Sequence, residues 1–215
     1  MSRHDSGVPD NDAREASRIT LSHYSRTAQR FAEGTWDHDV SQNIDALLRH
    51  ISAPPPLNIL DLGCGPGRDL VDFTQRGHRA IGVDGSAEFV AMARENSGCE
   101  VWHQDFLDLD LPSGYFDGVF ANASLFHVPS RHAPDVLTRL FHALKPGGVL
   151  CCSNPRGNNE EGWQGERYGT WYDYPRWSQL VRAEGFIELE HYYRPDGLPR
   201  EQQPWLVTVW RKPEP

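Results

Sequence analysis

The sequence predicts an α/β domain whose mostly parallel sheet is doubly wound, with helices on both faces. Between residues 57 and 153, short apolar runs alternate with helical patterns and are joined by short turns. The first apolar run is followed by glycines at alternate positions, and three of the runs end in an acid. This alternation is typical of right-handed βαβ units, in which ligands bind beyond the carboxyl ends of the strands.

Composition and charge limit the classes of function. The 215 residues are 38% hydrophobic and 24% charged, as expected for one soluble globular domain. The formal net charge of −9 argues against binding to the phosphate backbone of nucleic acids. No segment has the length of a membrane span, and the four cysteines show neither metal-ligand spacing nor a disulfide framework. We therefore expect a cytoplasmic protein with no metal, no nucleic-acid partner and no membrane attachment.

The chain before the sheet is predicted to be helical. Residues 1–12 are polar and are expected to form a disordered tail. Residues 13–53 are predicted to form a helical segment, with one helix over 13–32 and a second that carries Ile44, Leu47 and Ile51 on one face. Three consecutive prolines separate this segment from the sheet domain, which is predicted to occupy residues 57–215.

The elements of the sheet domain follow in order. Strands are predicted at 57–62, 80–84, 100–104, 117–121 and 149–153, and helices at 68–76, 87–95 and 134–144. A polar, glycine-rich loop follows at 154–170, and loops of that length are usually functional or disordered. A helix at 175–184 and strands at 186–192 and 205–210 complete the prediction.

The turn after the first strand is predicted to approach a ligand. Gly63, Gly65 and Gly67 allow positive φ angles and let a ligand come within contact distance of the main chain. Alone, such a turn is weak support for a site. The acids at the ends of the next strands strengthen it.

Those acids indicate a nucleoside cofactor. Asp84 stands 23 positions after Asp61, which suits a carboxylate that accepts hydrogen bonds from both ribose hydroxyls. Asp105, beside Phe106, offers an acceptor and an apolar face for an adenine. Each acid alone could cap a helix or lie in a solvated turn, but the three together favour a cofactor site.

Two adenosine-containing cofactors fit these acids, namely NAD and S-adenosylmethionine. Arg68 stands where the dinucleotide fingerprint Gly-x-Gly-x-x-Gly requires its last glycine, so the pyrophosphate fingerprint is absent. The density of carboxylates also suits a cationic sulfonium and amino group better than a diphosphate. The sequence therefore favours S-adenosylmethionine.

Five segments resemble, in order, the motifs of class I S-adenosylmethionine-dependent methyltransferases. They are Asp61–Gly67, Val83–Ser86, Gln104–Phe106, Tyr115–Val119 and Leu144–Gly148. The resemblance implies a Rossmann-like sheet of seven strands with an antiparallel last strand. It also implies methyl transfer from S-adenosylmethionine, which leaves S-adenosylhomocysteine. Residues 24–31 are similar to the family's lid helix, whose tyrosine closes over the cofactor, so residues 13–53 are expected to form an N-terminal helical lid.

The resemblance also implies which residues surround the cofactor. The expected set combines the lid tyrosine, the glycine turn, the strand-end acids with their neighbours, and the residue after the fourth strand. These residues are Tyr24, Asp61, Gly63, Cys64, Gly65, Asp84, Gly85, Ser86, Gln104, Asp105, Phe106 and Asn122.

The acceptor is predicted to be a small molecule. The segment 122–129 lacks the Asn/Asp-Pro-Pro-Tyr/Phe signature of enzymes that methylate nucleic-acid bases or protein glutamine. Within it, His127 either accepts a proton or closes the cofactor pocket. His38 either serves the substrate or is an exposed residue at a helix start. These two histidines are the candidate catalytic residues.

The loop at 154–174 and the C-terminal strands are predicted to bind that acceptor. Arginine forks bind carboxylate or phosphate, and aromatic faces hold rings or cations, so the acceptor is expected to be anionic or aromatic. Surface arginines and core aromatic residues are the alternative interpretation. The candidates are Arg156, Arg167, Tyr168, Tyr193 and Arg194.

The predicted reaction is an in-line displacement by an N, O or S nucleophile, for which the protein mainly supplies alignment. Two alternatives stay open, an NAD(P)-dependent oxidoreductase and a non-catalytic module that senses S-adenosylmethionine. The sequence leaves both a monomer and a homodimer possible.

Overall fold

A computed structural model describes residues 10–214 of the chain. Within that range the helices are α1 (Asp10–Thr35), α2 (Ser41–Leu48), α3 (Arg68–Gln75), α4 (Ala87–Ser97), α5 (Ala133–Ala143) and α6 (Tyr174–Ala183). The strands are β1 (Asn58–Leu62), β2 (Arg79–Asp84), β3 (Glu100–His103), β4 (Phe116–Asn122), β5 (Leu144–Pro155), β6 (Glu160–Gln164), β7 (Arg167–Trp171), β8 (Ile187–Arg194) and β9 (Trp205–Arg211).

Seven of these strands form one sheet in the order β3-β2-β1-β4-β5-β9-β8. Neighbours among β1 to β5 are parallel, whereas β9 runs antiparallel to both β5 and β8. The predicted Rossmann-like fold with an antiparallel last strand is therefore confirmed. The strand order reverses between β1 and β4, and in such sheets the crevice at this switch point binds ligands.

Both faces of the sheet are covered, so its central strands are apolar throughout. Along β1, Ile59 packs with α2 and α3, and Leu60 packs with α5 on the other face, as the two-residue period of a strand requires. Phe73 on one face and Trp177 on the other are fully buried. These packed layers hold the carboxyl ends of β1, β2 and β4 in place.

The N-terminal segment differs from the prediction at its start. Helix α1 begins at Asp10, so residues 10–12 are helical and not part of a disordered tail, while residues 1–9 of that predicted tail lie outside the described range. Small residues on one face of α1, including Ala13, Ala16 and Ala28, are buried and let the helix lie close to the domain. No helix within residues 10–214 combines the length and apolarity needed to cross a membrane.

The prediction of a loop at 154–170 is wrong, because most of this region forms strands. Strand β5 continues to Pro155, and β6 and β7 form an antiparallel hairpin in which Gln164 pairs with Arg167 across a two-residue turn. Trp163 and Tyr168 stack edge to face across the hairpin, with ring centroids 5.2 Å apart. Its polar residues conceal the strand pattern, because β6 is largely exposed and its alternation is weak.

Candidate cofactor and acceptor site

A cavity of about 660 Å³ lies at the carboxyl ends of β1, β2 and β4, and α1 covers it. This volume falls in the usual range for small-molecule sites. Most of the residues predicted from the sequence reach it. Those that line the cavity are Tyr24, His38, Gly63, Cys64, Gly65, Asp84, Gly85, Asp105, Phe106, Asn122, His127, Arg167 and Arg194.

The glycine turn has one packed side and one open side. Gly63 has φ +78°, and a Cβ there would lie 2.4 Å from the Cβ of Ser124. Gly65 has φ +51°, and the nearest atom to a Cβ there would be Cε1 of Phe31 at 3.9 Å. The space in front of Gly65 is therefore open to a ligand. Burial raises the pKa of the Cys64 thiol, so this side chain acts as a small apolar wall.

Asp84 is fixed by the backbone around it. One carboxylate oxygen accepts a hydrogen bond from the Gly65 N–H at 2.9 Å, and the other accepts one from the Ser86 N–H at 2.8 Å. Each oxygen has a second lone pair available for a ligand hydroxyl. Burial raises the pKa of Asp84 to about 6, against the opposing effect of these two hydrogen bonds. Asp84 is thus held in place to accept from a pair of hydroxyls.

Two buried polar atoms beside the turn have no hydrogen-bond partner within residues 10–214. They are Oδ2 of Asp61 and Oγ of Ser124, and only Ser124 lines the cavity. Burial raises the pKa of Asp61 well above its usual value, and the neighbouring Asp69 carboxylate raises it further. An unpartnered buried carboxylate is costly unless a cation or donor approaches it, so this corner fits a ligand with a cationic group.

Helix α1 directly contacts Asp105, one of the two residues predicted to frame the adenine. Ser17 Oγ donates to Oδ2 of Asp105 at 2.6 Å, while Oδ1 accepts from the Leu107 N–H at 2.9 Å. Gly85 permits the close approach of α1, because a Cβ there would lie 2.6 Å from Cδ2 of Leu21. The side of the cavity formed by Asp105 therefore depends on α1.

Besides Asp61, two predicted cofactor residues do not line the cavity. Ser86 caps the N-terminus of α4, where its Oγ accepts from the Phe89 N–H at 3.3 Å. The side chain of Gln104 makes two hydrogen bonds to the backbone of Asp110, at 2.9 and 3.1 Å. Both residues hold the segments that carry Asp84 and Asp105, respectively.

His127 has both ring nitrogens engaged. Its Nδ1 lies 2.6 Å from the Tyr168 carbonyl oxygen and therefore carries the proton, which leaves Nε2 to accept from the Tyr24 hydroxyl at 2.8 Å. Burial lowers the pKa of His127 to about 4, and the nearby Arg167 guanidinium also lowers it. This geometry favours the pocket-closing role of His127 over proton acceptance.

A hydrogen-bonded chain that the sequence did not indicate leads to Asn122. The Tyr192 hydroxyl donates to Oδ1 of Asn43 at 3.0 Å, and Nδ2 of Asn43 donates to Oδ1 of Asn122 at 3.1 Å. Nδ2 of Asn122 then faces Asp69 at 3.4 Å, and Asp69 forms an ion pair with Arg68 at 2.7 Å. These hydrogen bonds fix the orientation of the Asn122 amide, with Oδ1 toward Asn43 and Nδ2 toward Asp69.

Two of the predicted acceptor residues reach the cavity from different directions. Arg167 enters from β7 and lies beside the Tyr24 hydroxyl. Arg194 enters from the end of β8, and its Nη2 donates to the Asp39 carbonyl at 2.7 Å. His38 is an exposed residue at the rim. Apolar residues also line the cavity, including Phe126, Pro195, Pro204 and Trp205.

The other three predicted acceptor residues lie outside the cavity lining. Arg156 Nη2 donates to the Arg200 carbonyl at 2.8 Å, and the Arg200 guanidinium lies 3.2 Å from the centroid of the Tyr193 ring. The buried Tyr168 donates its hydroxyl to Glu161 at 3.0 Å. These side chains pack the connection between β8 and β9 and the hairpin, so the structure does not support direct substrate contact by them. Within residues 10–214, no group of three or more metal-ligating side chains comes together.

Comparison with known proteins identifies the family. Residues 59–148 match the family model described as a methyltransferase domain. The chain is 32% identical over 173 residues to trans-aconitate 2-methyltransferase of Acidovorax sp., a match over 74% of this chain and 66% of that protein. The chain belongs to the class I S-adenosylmethionine-dependent methyltransferases.

Two further matches define how far this likeness extends. Trans-aconitate 2-methyltransferase of Azoarcus sp. is 36% identical over 116 residues, which span 53% of this chain but only 45% of that relative. The solved 1,6-didemethyltoxoflavin-N1-methyltransferase of Burkholderia thailandensis, with its substrate and S-adenosylhomocysteine bound, superposes with a TM-score of 0.77 at 22% identity. That superposition covers 99% of both chains and shows the shared fold.

Several residues that shape the cavity were not predicted from the sequence. Asp69 follows the glycine turn directly and could have been noted as an acid in the first turn of α3. Ser17 and Asn43 gave no such signal, because their partners lie 88 and 79 positions away in the chain.

Proposed function

We propose that the protein transfers the methyl group of S-adenosylmethionine to a small-molecule acceptor bound in the 660 Å³ cavity. The observation that carries the proposal is the arrangement of Asp84. Its two oxygens are held by backbone N–H groups and face an enclosed space beside an open glycine turn. This arrangement fits a ribose whose nucleoside continues toward Asp105 and Phe106.

The residues around the turn would hold the rest of the cofactor. The carboxylate of Asp69, which lines the cavity, suits its amino group and sulfonium centre, while Gly65 leaves room for its methionine part. When bound, the cofactor supplies an electrophilic methyl group. Helix α1 acts as a lid that excludes water above it, through the contacts of Ser17 and Tyr24.

The acceptor has to reach the site as a ready nucleophile. Both nitrogens of His127 are engaged, and its pKa of about 4 makes it a weak base. His38 lies at the exposed rim. The chain's contribution is therefore alignment of the acceptor for in-line displacement, which can supply a large part of the rate enhancement.

The acceptor in this proposal is anionic. Arg167 and Arg194 place two guanidinium groups in the lining of the cavity, and arginine forks match carboxylates. Trans-aconitate, which the matched relatives are named for, is a small polycarboxylate of this kind. Phe126 and Trp205 add apolar walls against which its carbon skeleton would pack.

A turnover experiment tests the proposal. Purified protein is titrated with S-adenosylhomocysteine by calorimetry and then incubated with S-adenosylmethionine and trans-aconitate, followed by other small carboxylates. We expect saturable binding of one equivalent and release of S-adenosylhomocysteine with a methylated acceptor. Absence of S-adenosylhomocysteine binding contradicts the proposal. Binding without turnover of any carboxylate would instead favour the sensor alternative, and an absorbance change with NAD(P)H would favour an oxidoreductase.

A further inference from the structure

A second cavity of about 350 Å³ lies between α1 and the turn of the β6–β7 hairpin. Tyr24, Phe31 and Arg167 line this cavity and also line the main one. The two spaces therefore meet at three side chains. No role in cofactor binding requires this second space, because the acids and the glycine turn line only the main cavity.

The lining of the second cavity carries a positive charge. Its acid, Glu166, is compensated by Arg26 Nη2 at 2.7 Å and by His23 Nδ1 at 3.1 Å. Arg30 on α1 and Arg167 on β7 form no salt bridge with any residue in the described range 10–214. Two uncompensated guanidinium groups in a concave site attract small anions and raise their local concentration.

The side chain of Tyr24 lies at the boundary between the two cavities. Tyr24 is half-buried, and its hydroxyl bonds to Nε2 of His127 at 2.8 Å. Its ring packs edge to face on Phe31, with centroids 5.6 Å apart. Rotation of Tyr24 would break its hydrogen bonds to His127 and Arg167 and its contact with Phe89, and would open the boundary at which Arg167 lies.

We propose that the second cavity is the entrance through which a small carboxylate acceptor reaches the main cavity. Arg30 attracts the anion at the outside, and Arg167 contacts it on both sides of Tyr24. This inference rests on the proposed function, because it assumes that the acceptor is bound beside the cofactor. It assigns Arg30 a role in the rate of acceptor entry and none in the bound complex.

The association rate of a small carboxylate tests whether the second cavity is the entrance. Protein saturated with S-adenosylhomocysteine is mixed with citrate, used as a non-reacting tricarboxylate, in a stopped-flow instrument that records tryptophan fluorescence. Arg30→Gln is expected to slow association roughly three- to tenfold, by analogy with other electrostatically steered encounters. Dissociation slows by a similar factor, so Kd stays within about twofold, and added salt reduces the difference between the wild type and the variant.

Two further variants separate entry from binding. Thr27→Trp places a large side chain in the second cavity without changing charge, and it is expected to slow association as well. Arg194→Gln alters a residue that lines only the main cavity, so it is expected to raise Kd through faster dissociation.

Three outcomes would contradict the proposal that the second cavity is the entrance for the acceptor. The first is that the wild type shows no saturable binding of citrate. The second is that Arg30→Gln and Thr27→Trp both associate with citrate at the wild-type rate. The third is that Kd for Arg30→Gln changes through the dissociation rate alone. Calorimetry with S-adenosylhomocysteine on the same preparations distinguishes the two proposals. A wild type that does not bind S-adenosylhomocysteine contradicts the proposed function, whereas intact binding with unchanged association contradicts the entrance alone.

Discussion

The main cavity has a proposed cofactor end and a proposed acceptor end, and the two are built in different ways. At the cofactor end, Asp84 is held by backbone N–H groups of Gly65 and Ser86, and the glycine turn is held by the Val83 carbonyl at 2.7 Å from the Gly63 nitrogen. At the acceptor end, Arg167, His38 and Arg194 come from the hairpin, the connection after α1 and the end of β8.

This difference indicates that the contacts at the cofactor end are more pre-organised than those at the acceptor end. The cofactor end uses main-chain atoms of neighbouring parallel strands, whose positions follow from the sheet itself. The acceptor end uses long side chains on peripheral elements, which can move and change without disturbing the sheet. We therefore expect substitutions at the cofactor end to have larger effects, and substitutions at the acceptor end to be confined to the acceptor.

Asp84→Ala should have the largest effect on binding. It removes two hydrogen bonds to a charged group, each contributing about 1.5–3 kcal/mol, so Kd for S-adenosylhomocysteine should rise by at least roughly 100-fold. Calorimetry measures this, with Asp72→Ala on the exposed part of α3 as the control. Near-wild-type affinity in Asp84→Ala would remove the basis for the cofactor assignment.

Gly63→Ala should destabilise the fold more than Gly65→Ala does. Both substitutions place alanine at positive φ, which costs about 1–2 kcal/mol. Only the new Cβ at residue 63 meets Ser124, which adds about 1–3 kcal/mol of overpacking. Urea denaturation should show the larger loss of unfolding free energy for Gly63→Ala, while Gly65→Ala should weaken S-adenosylhomocysteine binding. Equal losses of stability would show that the turn is not packed on one side only.

Arg194→Gln should affect the acceptor alone. Loss of a hydrogen bond from a charged group costs about 1.5–3 kcal/mol, so KM for a carboxylate acceptor should rise roughly 10- to 100-fold while the Kd for S-adenosylhomocysteine is unchanged. Arg156→Gln is the matched control, because Arg156 bonds to the Arg200 carbonyl outside the cavity. Equal KM values for the two variants would place the acceptor elsewhere.

The affinity for S-adenosylhomocysteine should depend on pH through Asp84. Ribose hydroxyls bind its carboxylate form, and burial raises the pKa of the free protein's Asp84 to about 6. Affinity should therefore fall as pH decreases below about 6, by at most tenfold per pH unit, and this contribution should be constant above that value. Calorimetry between pH 5 and 8 measures the slope, with ~0.5-unit steps around the midpoint. The part of the slope that Asp84→Asn removes belongs to Asp84, and an unchanged slope contradicts the assignment.

The raised pKa of Asp84 also has a consequence for stability. Because the pKa is higher in the folded state than its ordinary value of 3.8, protonation favours folding. This contribution is fully present below about pH 4 and is lost as pH rises through about 6. At neutral pH, binding of the cofactor to the ionised form of Asp84 stabilises the folded protein and offsets this loss of stability.

The sequence indicated more of the residues that line the proposed cofactor end than of those that line the proposed acceptor end, and the reason is physical. The glycine turn and Asp84 follow from strand-end positions that a short stretch of sequence encodes, since parallel strands place their carboxyl ends together. Arg167 and Arg156 look alike in the sequence, and only the pairing of β6 with β7 turns the first toward the cavity.

Long-range polar contacts were beyond prediction for a related reason. Asn43 is fully buried and meets Asn122 only because α2 packs against β4 and β5. Nothing in the local pattern around Asn43 distinguishes it from a surface residue of a helix. The hairpin was missed as well, because polar residues on both faces of β6 leave no clear two-residue period.

The hairpin holds the lid through main-chain atoms. The N–H of Tyr168 donates to Thr20 Oγ1 on α1 at 2.9 Å, and its carbonyl accepts from His127. Main-chain groups persist when side chains are exchanged, so these two hydrogen bonds remain when the neighbouring residue 167 is replaced. A lineage descended from this fold could thus acquire new acceptors by substitutions in the hairpin, while the closure of the cofactor chamber is inherited intact.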